Sequence, residues 1–167
     1  MESITYLKIE SENQIKRLAN IAREIWFDYF GPMFEKDTLA YLFNQVQSKK
    51  AISNQIKEGY LYYLIETNGR QIGYFAYKLD TSKRELFLSK LYILSSKRGK
   101  GFGKQVIYYL EEVCKSHKIT NFTLTVFHKN QNAIRAYEKM GFKIQGPVNR
   151  DIGNGIVIFD YKMEKTV

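Results

Sequence analysis

The sequence predicts an α/β (α+β) fold, with seven strands in a mixed, mostly antiparallel sheet and about four flanking helices. Three observations carry this. Two early stretches repeat apolar residues at helical spacing. From Tyr60 the pattern changes to strands, with Asn68-Gly69 between two apolar runs. Beyond a glycine-rich segment, helical and strand patterns alternate to the end.

Each element follows in order. Ile4 and Tyr6 mark a short opening strand. From Glu12 to Tyr29, apolar Ile15, Leu18, Ile21, Ala22, Ile25 and Trp26 fall on one helical face, and Gly31-Pro32 ends the helix. A second helix runs from Lys36 to Gln47 on Leu39, Leu42, Phe43 and Val46. Tyr60–Glu66, Gln71–Leu79 and Glu85–Leu94 read as a three-strand antiparallel meander. Val106, Ile107, Leu110 and Val113 then make a helix. Ile119–Phe127 alternates as a strand, Asn130–Met140 is helical, and Gly141 stops it. Phe142–Val148 and Ile156–Met163 close the chain as strands. No repeat or linker-like stretch interrupts the 167 residues, so one domain, 1–167, is expected.

Composition excludes several classes. Hydrophobic residues at 44% and charged residues at 26% describe a globular chain rather than a disordered one. The single cysteine, Cys114, permits no intrachain disulfide and no Cys-rich zinc site, and the two histidines form no His-Glu-x-x-His motif, so no metal is expected. A start without a basic and apolar leader, and no long apolar run, lead to the expectation of a cytoplasmic protein with no membrane partner. The net charge of +9 favours polyanions, which include nucleic acid, acidic membranes and phosphorylated cofactors alike.

The segment Arg98-Gly99-Lys100-Gly101-Phe102-Gly103-Lys104 follows a strand and opens a helix. Glycines let backbone approach a ligand and take φ > 0. N–H groups at a helix start, with the helix dipole, favour an anion. Arg98, Lys100 and Lys104 add positive charge. Such a turn also serves as a plain strand-to-helix connector, and a lone Gly-x-Gly does not decide between the two. The P-loop pattern is absent. A dinucleotide fingerprint belongs in a parallel βαβ unit near the start of its domain, not behind an antiparallel meander.

A second segment does decide. Asn130-Gln131-Asn132-Ala133-Ile134-Arg135-Ala136-Tyr137-Glu138-Lys139-Met140-Gly141-Phe142, taken with the first segment and the element order, closely resembles the GNAT superfamily of acyl-CoA-dependent N-acyltransferases. The resemblance spans nearly the whole chain. Trp26 to Tyr29, the Leu91-Tyr92-Ile93 strand and the ending from Asp151 to Glu164 are similar to small bacterial acetyltransferases, including the polyamine-acetylating branch related to PaiA.

The resemblance implies a sheet whose fourth and fifth strands splay apart around the pantetheine arm. It implies acetyl-CoA as co-substrate. Leu91, Tyr92 and Ile93 would meet the pantetheine largely through backbone groups. Arg98, Gly99, Lys100, Gly101, Phe102, Gly103 and Lys104 would surround the pyrophosphate. Asn130 matches the asparagine that hydrogen-bonds pantetheine, while also suiting a helix cap. Tyr137 matches the tyrosine that protonates the departing thiolate.

The implied reaction is acetyl transfer to a primary amine by direct attack in a ternary complex. It passes through an oxyanion that needs N–H donors. The amine must attack as a neutral base, so some group must take its proton. Some relatives use a glutamate on a strand. Spacing puts Thr125 at that place, which cannot serve, and the preceding strand has only Glu85 at its start. A water chain, Glu24, Asp28 or Glu35 remain as alternatives. His128, after the fifth strand, reads as a substrate contact or an exposed loop residue. Trp26, Phe27, Tyr29 and Phe30 either line the acceptor side or fill the core.

The acceptor is expected to be a polyamine or another small amine, with a protein N-terminus or lysine as the alternative. Two rival readings stand beside the enzyme. One is a non-catalytic acyl-CoA-binding regulatory module. The other is a basic nucleic-acid binder, which no specific nucleic-acid motif supports. A homodimer through the C-terminal strands is an assembly the resemblance allows.

Overall fold

A computed structural model describes residues 3–167. The elements are β1 (Ile4–Lys8), α1 (Glu12–Phe30), α2 (Lys36–Gln47), α3 (Lys49–Lys57), β2 (Leu61–Thr67), β3 (Arg70–Asp80), β4 (Glu85–Ile93), α4 (Phe102–Ser116), β5 (Asn121–Phe127), α5 (Gln131–Lys139), β6 (Lys143–Gly153) and β7 (Ile156–Thr166). A 3₁₀ turn, Ser95–Lys97, joins β4 to the glycine-rich loop. The strands form one mixed seven-stranded sheet in the order β1-β2-β3-β4-β5-β7-β6. The β4–β5 pair is parallel, and the β1–β2, β2–β3, β5–β7 and β6–β7 pairs are antiparallel. This is the predicted architecture with one added helix.

That helix, α3, carries few apolar residues. Only Ile52 among them is fully buried, and Ser48 caps it by accepting from the Ala51 N–H at 3.1 Å. Its sequence therefore offers little periodicity to read. The Asn68-Gly69 turn behaves as its composition requires, with φ of 50° and 73°. α1 opens with a capping box between Ser11 and Gln14 and buries Leu18, Ile21, Ala22, Ile25, Trp26 and Phe30 on one face.

The chain packs as two compact units, one of Met1–Tyr77 with Lys90–Ile107 and the other of Lys78–Ser89 with Tyr108–Val167. The first has a core rich in aromatics and threaded by hydrogen bonds. Trp26 Nε1 donates to the Tyr74 hydroxyl at 3.0 Å, and Tyr74 in turn donates to Gln47 Oε1. Gln47 Nε2 donates to the Tyr62 hydroxyl at 3.0 Å, and Tyr62 donates to Gln55 Oε1, which also accepts from Lys90 Nζ at 3.1 Å. Burial alone would make these polar groups costly, so their mutual bonding is what permits them in the core. Burial raises the Tyr62 and Tyr74 hydroxyl pKa values above the ordinary tyrosine range.

The second unit has an apolar core of Leu86, Leu88, Leu110, Cys114, Phe122, Leu124, Phe142 and Met163. Its β4–β5 register runs from Glu85↔Asn121 to Leu88↔Leu124. Thr123 anchors it by donating to Glu85 Oε1 at 2.6 Å. Lys165 ties β7 to α4 through Glu111 at 2.6 Å.

Candidate active site

The glycine-rich loop lies in the first unit. β4 ends at Ile93, the 3₁₀ turn follows, and the chain enters α4 at Phe102. Gly99 and Gly101 have φ of 75° and 86°, a region where a side chain is strained. A Cβ built on either would meet nothing within 4 Å. Both are glycine for their backbone, and both face open space. Gly101 accepts from the Gln105 N–H at 3.1 Å, which makes it the N-cap of α4. A glycine cap supplies no side-chain acceptor, and the first-turn N–H groups have no earlier helical carbonyl to bond.

Charge sharpens the point. The first turn of α4 has no acidic residue. Lys100 and Lys104 stand exposed there instead, where the helix dipole disfavours cations. An anion reverses that balance.

The other loop residues divide by role. Arg98 Nε donates to the Ile93 carbonyl at 3.0 Å, and its guanidinium lies 5.4 Å from the centre of the Tyr29 ring. Arg98 thus fixes the loop to the end of β4 while remaining exposed. Phe102 is buried at 5% exposure. Its side chain is a core anchor, so it can offer a ligand only its backbone. A Cβ on Gly103 would lie 4.0 Å from Leu91.

On β4, Tyr92 packs its ring against Trp26 and Tyr74, with centroids 5.8 and 5.5 Å away. That side chain is half-buried against those core rings, as Leu91 and Ile93 are half-buried beside it. Trp26 and Phe30 are buried core residues, while Glu24, Asp28 and Glu35 are exposed.

The second unit holds the remaining residues. Asn130 caps α5, its Oδ1 accepting from the Ala133 N–H at 3.2 Å. Its amide Nδ2 remains the donor of that side chain. Tyr137 stands on α5 with its ring 5.7 Å from Phe142, edge to face. Burial pushes the Tyr137 hydroxyl up to about 12, so the proton stays on oxygen throughout the neutral range. Thr125 sits on β5 opposite Lys162.

Residues 18–142 match the acetyltransferase (GNAT) family. The chain belongs to that family. Among its relatives is the spermine/spermidine N(1)-acetyltransferase of Bacillus subtilis, 26% identical over 113 residues, spanning 62% of this chain and 74% of that one. An uncharacterized N-acetyltransferase of Lactobacillus delbrueckii subsp. lactis is 24% identical over 78% of this chain and 80% of its own. The crystal structure of PaiA N-acetyltransferase from Thermoplasma acidophilum in complex with coenzyme A superposes with a TM-score of 0.80 over 99% of both chains, at 23% identity, and shares the fold.

Among the described residues of this GNAT chain, no helix is long and apolar enough to cross a membrane, and no group of three or more His, Cys, Asp or Glu could hold a metal ion. Sequence reasoning passed over one group. Asp160 on β7 is 4% exposed, with its Oδ2 3.0 Å from Arg150 Nη2. Its Oδ1 has no hydrogen-bond partner. The burial comes from the register of β5, β6 and β7, which no local pattern announces.

Proposed function

We propose that this chain transfers the acetyl group of acetyl-CoA to a primary amine on a small acceptor of the polyamine kind. The observation that carries it is the loop Arg98–Lys104. Two glycines at positive φ face open space, at a helix start whose cap residue is glycine and which is flanked by cations. A pyrophosphate supplies the acceptors and the negative charge such a loop lacks.

In this reading the loop holds the pyrophosphate through the backbone of Gly99, Gly101 and Gly103, with Lys100 and Lys104 as its charge partners. Backbone groups of Leu91, Tyr92 and Ile93, together with Asn130 Nδ2, take the pantetheine amides. Tyr137, protonated at neutral pH, donates to the departing sulfur. The polyamine class is supported by the likeness to the Bacillus subtilis spermine/spermidine enzyme.

The test is thiol release from acetyl-CoA across spermidine, spermine, amino acids and short peptides. Turnover with the polyamines is expected. Turnover with peptides alone would move the acceptor to proteins. Failure to bind coenzyme A in calorimetry would remove the reading.

A further inference from the structure

The amine must lose a proton; Thr125 is no base, and Glu24, Asp28 and Glu35 are exposed to solvent. The second unit offers another group. His128 follows β5 directly and lies two residues before the Asn130 cap. Its ring is wedged between Phe127 and Phe159, with centroids 4.8 and 6.0 Å away, both edge to face. Its Nδ1 lies 2.8 Å from the Phe159 carbonyl, and its backbone N–H donates to the same oxygen at 3.0 Å.

A carbonyl oxygen only accepts, so Nδ1 carries the hydrogen in this bond. Nε2 is then the ring's basic lone pair. The partner that fixes one nitrogen thereby assigns the task of the other.

The charges around the ring come from the two strands beyond it. Asp160 on β7 pairs in register with Phe127 and is close enough to His128 for the two to act on each other electrostatically. Arg150 on β6 compensates one Asp160 oxygen from a half-exposed position, and the other oxygen has no partner. A buried carboxylate compensated on one side only leaves negative potential around it. Burial raises the pKa of Asp160, and Arg150 works against that rise.

We propose that His128 Nε2 accepts the proton of the acceptor amine, the ring being held for that task by the Phe159 carbonyl at Nδ1 and by the rings of Phe127 and Phe159. The proposal rests on the acetyl transfer set out above. In the step, the amine nitrogen bonds to the acetyl carbon and the carbon–sulfur bond breaks. The amine proton passes to Nε2, and the sulfur leaves with a proton from Tyr137. Solvent then takes the proton from His128 and restores that of Tyr137.

The experiment compares wild type with His128→Asn, whose amide N–H can keep the bond to the Phe159 carbonyl but whose side chain is not a base. kcat/KM is followed from pH 6 to 10 with spermidine, and coenzyme A affinity is measured alongside. Expected is a loss of about 100-fold or more near pH 7. The loss should shrink as pH approaches the amine's own pKa, about 10, where the acceptor deprotonates itself. Coenzyme A affinity should stay within twofold.

A pH-independent loss in His128→Asn, or no loss, overturns the proposal and leaves the acetyltransferase reading in place. Wild-type protein that binds coenzyme A but acetylates no amine removes the proton role alone. Protein that binds no coenzyme A removes both readings.

Discussion

Helices α4 and α5 each follow one of the two parallel strands, yet they begin in opposite ways. α5 is closed by its own sequence, since Asn130 Oδ1 takes the Ala133 N–H. α1 goes further, with a full capping box and Glu12 in its first turn. α4 starts at a glycine with φ of 86°, has no acid in its first turn and carries lysines beside it. A side chain caps α1 and α5, whereas the cap of α4 is a glycine; a first-turn acid is present at α1 and at neither of the other two. A helix start optimised for stability completes itself. One that begins on a glycine and has cations beside it is suited to an anion from outside.

The largest effect should come from giving the α4 start a side chain. Gly101→Val places a β-branched residue at positive φ and fills the open cradle. Coenzyme A affinity, read by calorimetry, should fall by at least about 100-fold, which corresponds to about 2.7 kcal/mol, while circular dichroism remains that of a folded protein. Retained affinity would put α4 on the same footing as α5.

Gly73→Ala should be next, as a stability effect in the strands that lead to the loop. A Cβ there would stand 2.3 Å from the Tyr92 carbonyl oxygen and 3.1 Å from Ile93, and backbone cannot step aside cheaply. A cost of about 1–3 kcal/mol is expected, seen as a lower Tm. An unchanged Tm would show that β4 shifts freely.

Much of this was legible in the sequence. The α2 boundaries agree with the residues Lys36 and Gln47 that periodicity selects, because four apolar residues mark one face. The loop was legible because positive φ demands glycine. α3 was not, since Ala51, Ile52 and Ile56 are sparse among polar residues. Side-chain direction was also hidden. Phe102 and Tyr92 lie within the segments assigned to the ligand, yet the Phe102 side chain is buried and the Tyr92 ring packs against core rings. The Asp160–Arg150 pair depends on cross-strand register, which is a property of three strands at once.

Tyr137→Phe tests the α5 side of the comparison. kcat should fall by about tenfold to 100-fold with coenzyme A affinity unchanged, since only a proton donor is lost. Equal kcat would leave Tyr137 as packing against Phe142. The same variant has a pH signature. The hydroxyl pKa rises from 10 in the unfolded chain to about 12 in the folded one. The folded state therefore keeps its proton while the unfolded state gives it up, and stability present below pH 10 is lost as pH rises toward 12. Tyr62 and Tyr74 add to that alkaline loss. Tyr137→Phe should make the fall in Tm between pH 10 and 12 shallower.

The smallest effect separates the two jobs of Asn130. Asn130→Ala removes the cap and the donor together, and should cost about 1 kcal/mol of stability as well as weaken coenzyme A binding. Asn130→Ser restores an acceptor for the Ala133 N–H but has no amide reaching toward a ligand. If Asn130 serves both the helix and the pantetheine, serine should recover the Tm and not the affinity. If it serves the helix alone, serine should recover both. In that second case α5 is closed by its cap and nothing more, and the contrast with the open start of α4 becomes complete.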